Sequence, residues 1–94
     1  MQTANNITIQ ECCTHYRVET SFVYTLQEYG LIEIIRREEE YYIHYEQLAL
    51  LEKYIHLHYD LDINFEGLDA IAHLLQHIES LQTEVKNLRN ELGK

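Results

Sequence analysis

The sequence predicts a mainly α fold, with a head of short helices carrying a small β-hairpin wing and a long C-terminal coiled-coil helix behind it. Three observations lead there. Helix start and stop signals alternate between Thr8 and Gly30; the period then changes to β-branched and aromatic runs around a charged tip; and from Ile71 to Leu92 apolar residues recur at steps of three and four without a miss. A chain of 94 residues suits one hydrophobic core plus an appendage, and 46% apolar with 24% charged residues is ordinary globular usage. The expected division is a head over residues 1–62 and an amphipathic, coiled-coil helix over 63–94.

Thr8-Ile9-Gln10-Glu11 opens the first helix as a capping box: Thr8 accepts from the backbone of Glu11 while Glu11 reaches back, with Ile7 and Cys12 at staple positions. This helix is expected from Ile9 to about Tyr16, with a break near Arg17 and Val18. A second helix opens around Glu19 and Thr20 and stops at Gly30, as a left-handed cap requires. Leu31-Ile32-Glu33-Ile34-Ile35 and Tyr41-Tyr42-Ile43-His44 then read as the two strands of a wing, with Arg37 to Glu40 at its tip. No Gly or Asn occupies that tip, so a loop longer than two residues is expected.

A third helix is read from Glu46 to Tyr59, where Leu48, Leu51, Ile55 and Tyr59 recur at helical spacing and close over the first two helices. Asp60-Leu61-Asp62 interrupts it, and Asn64 caps a fourth helix, with Ile63 and Leu68 placed for a staple. Along that helix Ile71, Leu74, Ile78, Leu81, Val85, Leu88 and Leu92 form a heptad seam. β-branched residues dominate one core position and leucine fills the other, and Glu84 and Arg89 lie where they can pair between chains. Ile71 and Leu74 are expected to pack on the head. Beyond Leu81 the head is too small to cover the stripe, so the seam is assigned to homodimerisation. Strand orientation stays open.

Seven Lys plus Arg against sixteen Asp plus Glu give a formal net charge of -9. Such a balance repels phosphates and attracts basic surfaces, although acidity alone also keeps a small protein in solution. Met1 to Asn6 shows neither a basic leader nor an apolar run, and no stretch approaches the ~20 apolar residues that span a bilayer, so a cytoplasmic address without membrane contact is expected. Cys12 and Cys13 are adjacent, a poor disulfide pair without metal-type spacing, and read as packing residues. His73 and His77 share a helical face, but two ligands do not make a site, so neither metal nor cofactor is expected. Three glycines supply no phosphate-cradling loop, and the chain shows no serine elbow and no acid pair it could enclose; the expectation is a protein that is not an enzyme.

The order of capped helix, turn, second helix ending in Gly30-Leu31, hairpin wing and third helix resembles the MerR-type winged helix-turn-helix head over Ile7 to about Tyr59. Ile7-Thr8-Ile9, Val18, Val23 and Gly30-Leu31 match positions that pack that family's core. The DNA-reading chemistry does not match: members that bind DNA carry arginines and a tyrosine on the second helix, where this chain has Ser21, Tyr24 and Thr25, and no Lys or Arg lies between Val18 and Ile35. A closer resemblance spans nearly the whole chain. Ile7-Thr8-Ile9-Gln10-Glu11-Cys12-Cys13, the wing ending Tyr42-Ile43-His44, and the run from Leu57 through Ile63-Asn64-Phe65-Glu66-Gly67-Leu68 to Ile71 are similar to the CbpM-type chaperone-modulator family.

That resemblance implies a protein adaptor that binds and restrains the J-domain of a DnaJ-type co-chaperone; the alternative it leaves is a MerR-type transcriptional regulator that reads DNA. J-domains carry a basic helix, and an acidic surface complements it. The surface expected to take the partner comprises Ser21, Tyr24, Thr25 and Glu28 on the outward face of the second helix, bordered by Glu38, Glu39 and Glu40 from the wing, with Tyr24 as anchor and with Val23 and Leu26 turned inward. The competing reading of these acids is a solvated face.

Overall fold

Asn5 to Gly93 are the residues described by the computed structural model, so Met1–Ala4 of the expected leaderless start and Lys94 of the expected tail lie outside it. Strand β1 (Asn6–Thr8) runs directly into helix α1 (Ile9–Tyr16). Thr8 caps α1 as its residues dictate: the Thr8 hydroxyl accepts from the Glu11 N–H at 3.1 Å, and the Glu11 carboxylate accepts from the Thr8 N–H at 3.3 Å. Arg17, at φ 59°, turns the chain left-handed and ends the helix. Helix α2 (Thr20–Glu28) follows and closes in a Schellman motif. The Leu31 N–H donates to the Leu26 carbonyl and the Gly30 N–H to that of Gln27, both at 2.9 Å, while Gly30 sits at φ 75°, where a side chain is strained.

The wing differs from its sequence reading in three ways. Its first strand, β2, is Ile35–Arg37 rather than the run from Leu31, because Leu31 and Ile32 are drawn into the core as a strap ahead of the strand. The strap is held by the Glu33 N–H, which donates to the Gln47 side chain at 2.9 Å. Second, β2 pairs with β3 (Glu40–His44) down to Arg37 opposite Glu40, leaving a two-residue turn of Glu38 and Glu39 instead of a longer loop. Both turn residues take positive φ, 49° and 70°, the pattern that makes tight hairpin turns follow the strand twist. Third, β1 adds an unanticipated strand on the other side of β3, giving an antiparallel sheet in the order β1-β3-β2.

The single third helix of the sequence reading is three segments. A 3-10 turn (Tyr45–Gln47) leads into helix α3 (Leu48–Ile55), and a π-helical turn (His56–Asp60) leads out of it. The widened turn lets the chain reverse: Asp62 adopts φ 57° and the Ile63 N–H returns to the Leu57 carbonyl. Helix α4 (Phe65–Leu92) then begins at the expected cap, with the Asn64 side chain accepting from the Gly67 N–H at 2.8 Å. Gly67 is required by this close entry, since a Cβ there would lie 2.6 Å from the Ile63 Cγ2. At 1.5 Å per residue the 28-residue helix is about 42 Å long, which sets the 52 Å long dimension of the molecule.

One core joins all these elements. Ile9, Cys12 and Cys13 from α1, Phe22, Val23 and Leu26 from α2, Ile43 from β3, Leu51 and Tyr54 from α3 and Leu68 from α4 are buried together. Both cysteines are free. Phe22, His58, Tyr59 and Phe65 gather their rings at the joint between head and α4, with centroids 4.9 to 5.8 Å apart for the contacting pairs. Tyr59 touches Phe22 there but is 48% exposed, so it closes the core only at its edge. Two tyrosine hydroxyls fasten the helices together: Tyr16 donates to Glu52 at 2.7 Å and Tyr29 to Glu66 at 3.3 Å. Burial and, for each, the adjacent carboxylate hold both hydroxyls above their ordinary pKa.

Candidate functional site: an acidic aromatic groove and an uncovered helical seam

On α2, helical spacing sends Phe22, Val23 and Leu26 into the core and leaves Ser21 and Glu28 exposed, with Tyr24 and Thr25 half-buried. The Thr25 hydroxyl donates to the Ser21 carbonyl at 2.8 Å, so it is already engaged within the helix. Tyr24 leans toward the wing and meets Tyr41 edge to face, with ring centroids 5.8 Å apart. Burial, followed by the neighbouring Tyr41, raises the Tyr24 hydroxyl above its ordinary pKa, so this phenol is a neutral hydrogen-bonding group at physiological pH.

Ile9 and Gln10 of α1, Thr20 and Tyr24 of α2, and Glu39, Glu40 and Tyr41 of the wing line one shallow groove. The structure therefore brings Tyr24, Glu39 and Glu40 together, but Ser21, Thr25, Glu28 and Glu38 do not line the groove. Glu28 lies at the far end of α2, beside the Tyr29–Glu66 contact. Tyr41 is the residue that sequence reasoning missed. Strand alternation was the signal available: Tyr41 shares its face of β3 with Ile43, which is 0% exposed, and so must look toward the helices. On the adjoining strand the Arg36 guanidinium stands 5.9 Å from the Tyr41 ring centroid, and Arg37 follows it opposite Glu40, so the wing tip carries two cations beside its three glutamates.

A second uncovered feature runs along α4. The face that meets the head carries Leu68 and Ala72, with half-buried Leu75 on the same side, one stripe around from the heptad seam. Ile71 is accordingly half-buried, whereas Leu74, expected against the head, is 61% exposed because it sits about a third of a turn around the helix from Leu68. Ile78, Leu81, Val85, Leu88 and Leu92 are exposed in the same row. Among the described residues no group of three or more His, Cys, Asp and Glu is placed to hold a metal ion. Three histidines are engaged locally: His56 contacts Asp60 at 2.7 Å, His58 contacts the Ile63 carbonyl at 2.8 Å and His73 that of Asp69 at 2.8 Å. No helix of the described residues is long and apolar enough to cross a membrane.

Residues 7–90 match the model of the MerR HTH family of regulatory proteins. The chaperone modulatory protein CbpM of Pseudomonas putida strain GB-1 is 30% identical over 83 residues, which cover 87% of this chain and 82% of that relative. This chain belongs to the CbpM-type chaperone-modulator family. CbpM of P. putida strain W619 is 28% identical and that of Pseudomonas entomophila strain L48 is 25% identical, with the same coverage. These relatives are named as modulators of chaperones, and the family model is regulatory rather than enzymatic. The MerR-family match ends at residue 90, so it takes in most of α4 as well as the helix-turn-helix head.

Proposed function

We propose that this CbpM-type protein is a cytoplasmic adaptor that binds and restrains the J-domain of a DnaJ-type co-chaperone, and that it does so as a homodimer joined through α4. The observation that carries the reading is the groove in which Tyr24 and Tyr41 form an aromatic floor beside Glu39 and Glu40. On a helix-turn-helix head the second helix would need cations to hold a phosphate backbone, and no Lys or Arg lies between Val18 and Ile35, so the wing's Arg36 and Arg37 are the cations nearest the groove. A basic helix of a J-domain supplies the complement: its lysines and arginines meet the wing carboxylates, while its apolar edge covers the tyrosines. Carboxylates set orientation and association rate, and the aromatic pair of half-buried Tyr24 and exposed Tyr41 supplies the lasting contact.

The conformation of the wing tip supports this assignment. Glu38 and Glu39 occupy left-handed backbone positions, each costing roughly 1 kcal/mol for a residue with a side chain, where Asn-Gly would fit at lower cost. Carboxylates kept at a conformationally expensive position point to a role outside folding. The dimer part of the reading rests on the row from Leu74 to Leu92, which has no cover in a single chain.

Calorimetric titration of a J-domain into the protein tests the adaptor reading. Binding should weaken by roughly tenfold or more on Tyr24→Ala, the size expected of a central aromatic anchor. A paired Glu39→Lys and Glu40→Lys variant should lose affinity mainly at low salt. Binding indifferent to both changes would remove the groove from the mechanism. The MerR family match favours the competing reading of a DNA-binding regulator, and a duplex retained at ordinary ionic strength with a steep salt slope would replace the adaptor by that regulator.

A further inference from the structure

We infer that the Tyr41 ring is a subsite for one cationic side chain of the partner, and that Arg36 fills this place in the free protein. This rests on the adaptor reading and adds the group that the groove recognises. Arg36 and Tyr41 are cross-strand partners in the β2–β3 ladder, so their side chains leave the sheet on one face. Ile43, two residues along β3 on that same face, is wholly buried, which fixes the face as the one turned to the helices. At 5.9 Å from the ring centroid, the Arg36 guanidinium lies within the ~6 Å over which an aromatic face attracts a cation. Tyr24 braces the ring from α2 at an interplanar angle of 87°, and Tyr41 stays 40% exposed.

The resident cation is loosely held. Among the described residues every ion pair has a histidine as its cation, so Arg36 is matched to no carboxylate, and neither is Glu39 to any cation. Arg36 is itself exposed, and an exposed cation–π contact biases an equilibrium by only roughly two- to fivefold. Glu39 sits in the turn without a cross-strand partner and lines the same groove as Tyr41. An arginine or lysine carried on a partner surface reaches the ring and Glu39 together, whereas Arg36 has the ring alone. The incoming side chain therefore displaces the resident one.

The size of the groove argues for a side chain rather than a free small molecule. Its volume of about 250 Å³ falls below the roughly 300–1,000 Å³ of small-molecule pockets. Arg37 supplies an internal contrast. One residue along β2 and opposite Glu40, it leaves the sheet on the other face and does not share the ring.

Arg36→Ala tests the subsite by calorimetric titration with a J-domain at ordinary ionic strength, beside Arg37→Ala, which removes the same charge from the other face. The expected result is that Arg36→Ala binds roughly two- to fivefold tighter than the unmodified protein, while Arg37→Ala changes affinity only slightly. Tyr41→Leu keeps an apolar group without a ring, and in that background the gain from Arg36→Ala should vanish, because the two changes act on one contact. Weaker binding by Arg36→Ala would make Arg36 a contact to an anionic group of the partner and overturn the inference. Equal gains from Arg36→Ala and Arg37→Ala would reduce the effect to net charge and overturn it as well.

A tetra-arginine peptide, followed through the Tyr41 ring resonances by NMR, separates this inference from the adaptor reading. The ring shifts should saturate at lower peptide concentration in Arg36→Ala than in the unmodified protein. That result with no J-domain complex in any variant removes the adaptor reading and keeps the cation subsite. A J-domain complex, with the Tyr41 resonances unmoved by peptide in both chains, removes the subsite and keeps the adaptor.

Discussion

The head and the outer half of α4 use the same kinds of apolar side chain to opposite ends. In the head, Leu26 and Leu51 are wholly buried, each surrounded by residues from several elements. In α4, Leu81 and Leu88 stand 59% and 57% exposed along a helix with nothing folded against it. Hydrophobicity alone does not separate these leucines, since what distinguishes them is the neighbouring chain. The head supplies its own cover, and the outer helix carries an exposed apolar row that no other described residue of the chain covers. The turns beyond Leu75 add nothing to the buried core of the head.

Substitutions at matched leucines break this comparison most sharply. Leu51→Ala leaves a cavity in the head and should cost about 2–5 kcal/mol of folding stability in chemical denaturation, enough to unfold a marginal domain. Leu81→Asp should leave the head's unfolding transition nearly unchanged at low protein concentration while shifting sedimentation from dimer to monomer. A Leu81→Asp head that unfolds as readily as Leu51→Ala would show that the outer helix belongs to the folding core after all.

A smaller effect separates folding from recognition within the head itself. Replacing Glu38 by Asn and Glu39 by Gly relieves the two left-handed residues of the wing turn and should stabilise the head by about 1 kcal/mol. The same exchange should weaken the J-domain complex, because it removes charge from the tip. Gains in both stability and affinity would mean that the strained carboxylates have no binding role.

The last effect appears only in alkali. Burial, followed by the neighbouring Cys13, pushes the Cys12 thiol up from 9.0 to about 11. Since the folded pKa lies above the unfolded one, folding favours the protonated thiol. That contribution is intact below pH 9.0 and fades as pH rises toward about 11. The denaturation midpoint should fall across this window more steeply for the native chain than for Cys12→Ala. Equal slopes would show that Cys12 ionises without disturbing the core.

The contrast between self-covered and uncovered segments also explains how much could be read from the residues. Local chemistry was legible: the Thr8–Glu11 box, the left-handed Gly30 stop and the Asn64 cap each depend on neighbours within a few positions, and all form as read. Non-local pairing was not. β1 has only three residues and is defined by its register with β3, a partner 34 or more positions away along the chain. The Glu38–Glu39 turn escaped because its residues take left-handed geometry that Asn or Gly normally supplies. Leu74 was misplaced because the choice between adjacent stripes of α4 depends on how Leu68 seats in the head. In the candidate site, Tyr24 was legible from helix phase, whereas its partner Tyr41 required knowing which face of β3 met the helices.

The account turns on one physical claim, that this helix-turn-helix head has exchanged a polyanion for a cationic protein surface. The most direct test titrates the same purified chain, across a range of ionic strengths, with a J-domain and separately with duplex DNA. The account predicts a J-domain complex that weakens as salt rises but persists at ordinary ionic strength, with no measurable duplex binding there. A duplex held at ordinary ionic strength, with the J-domain unbound even at low salt, would contradict it.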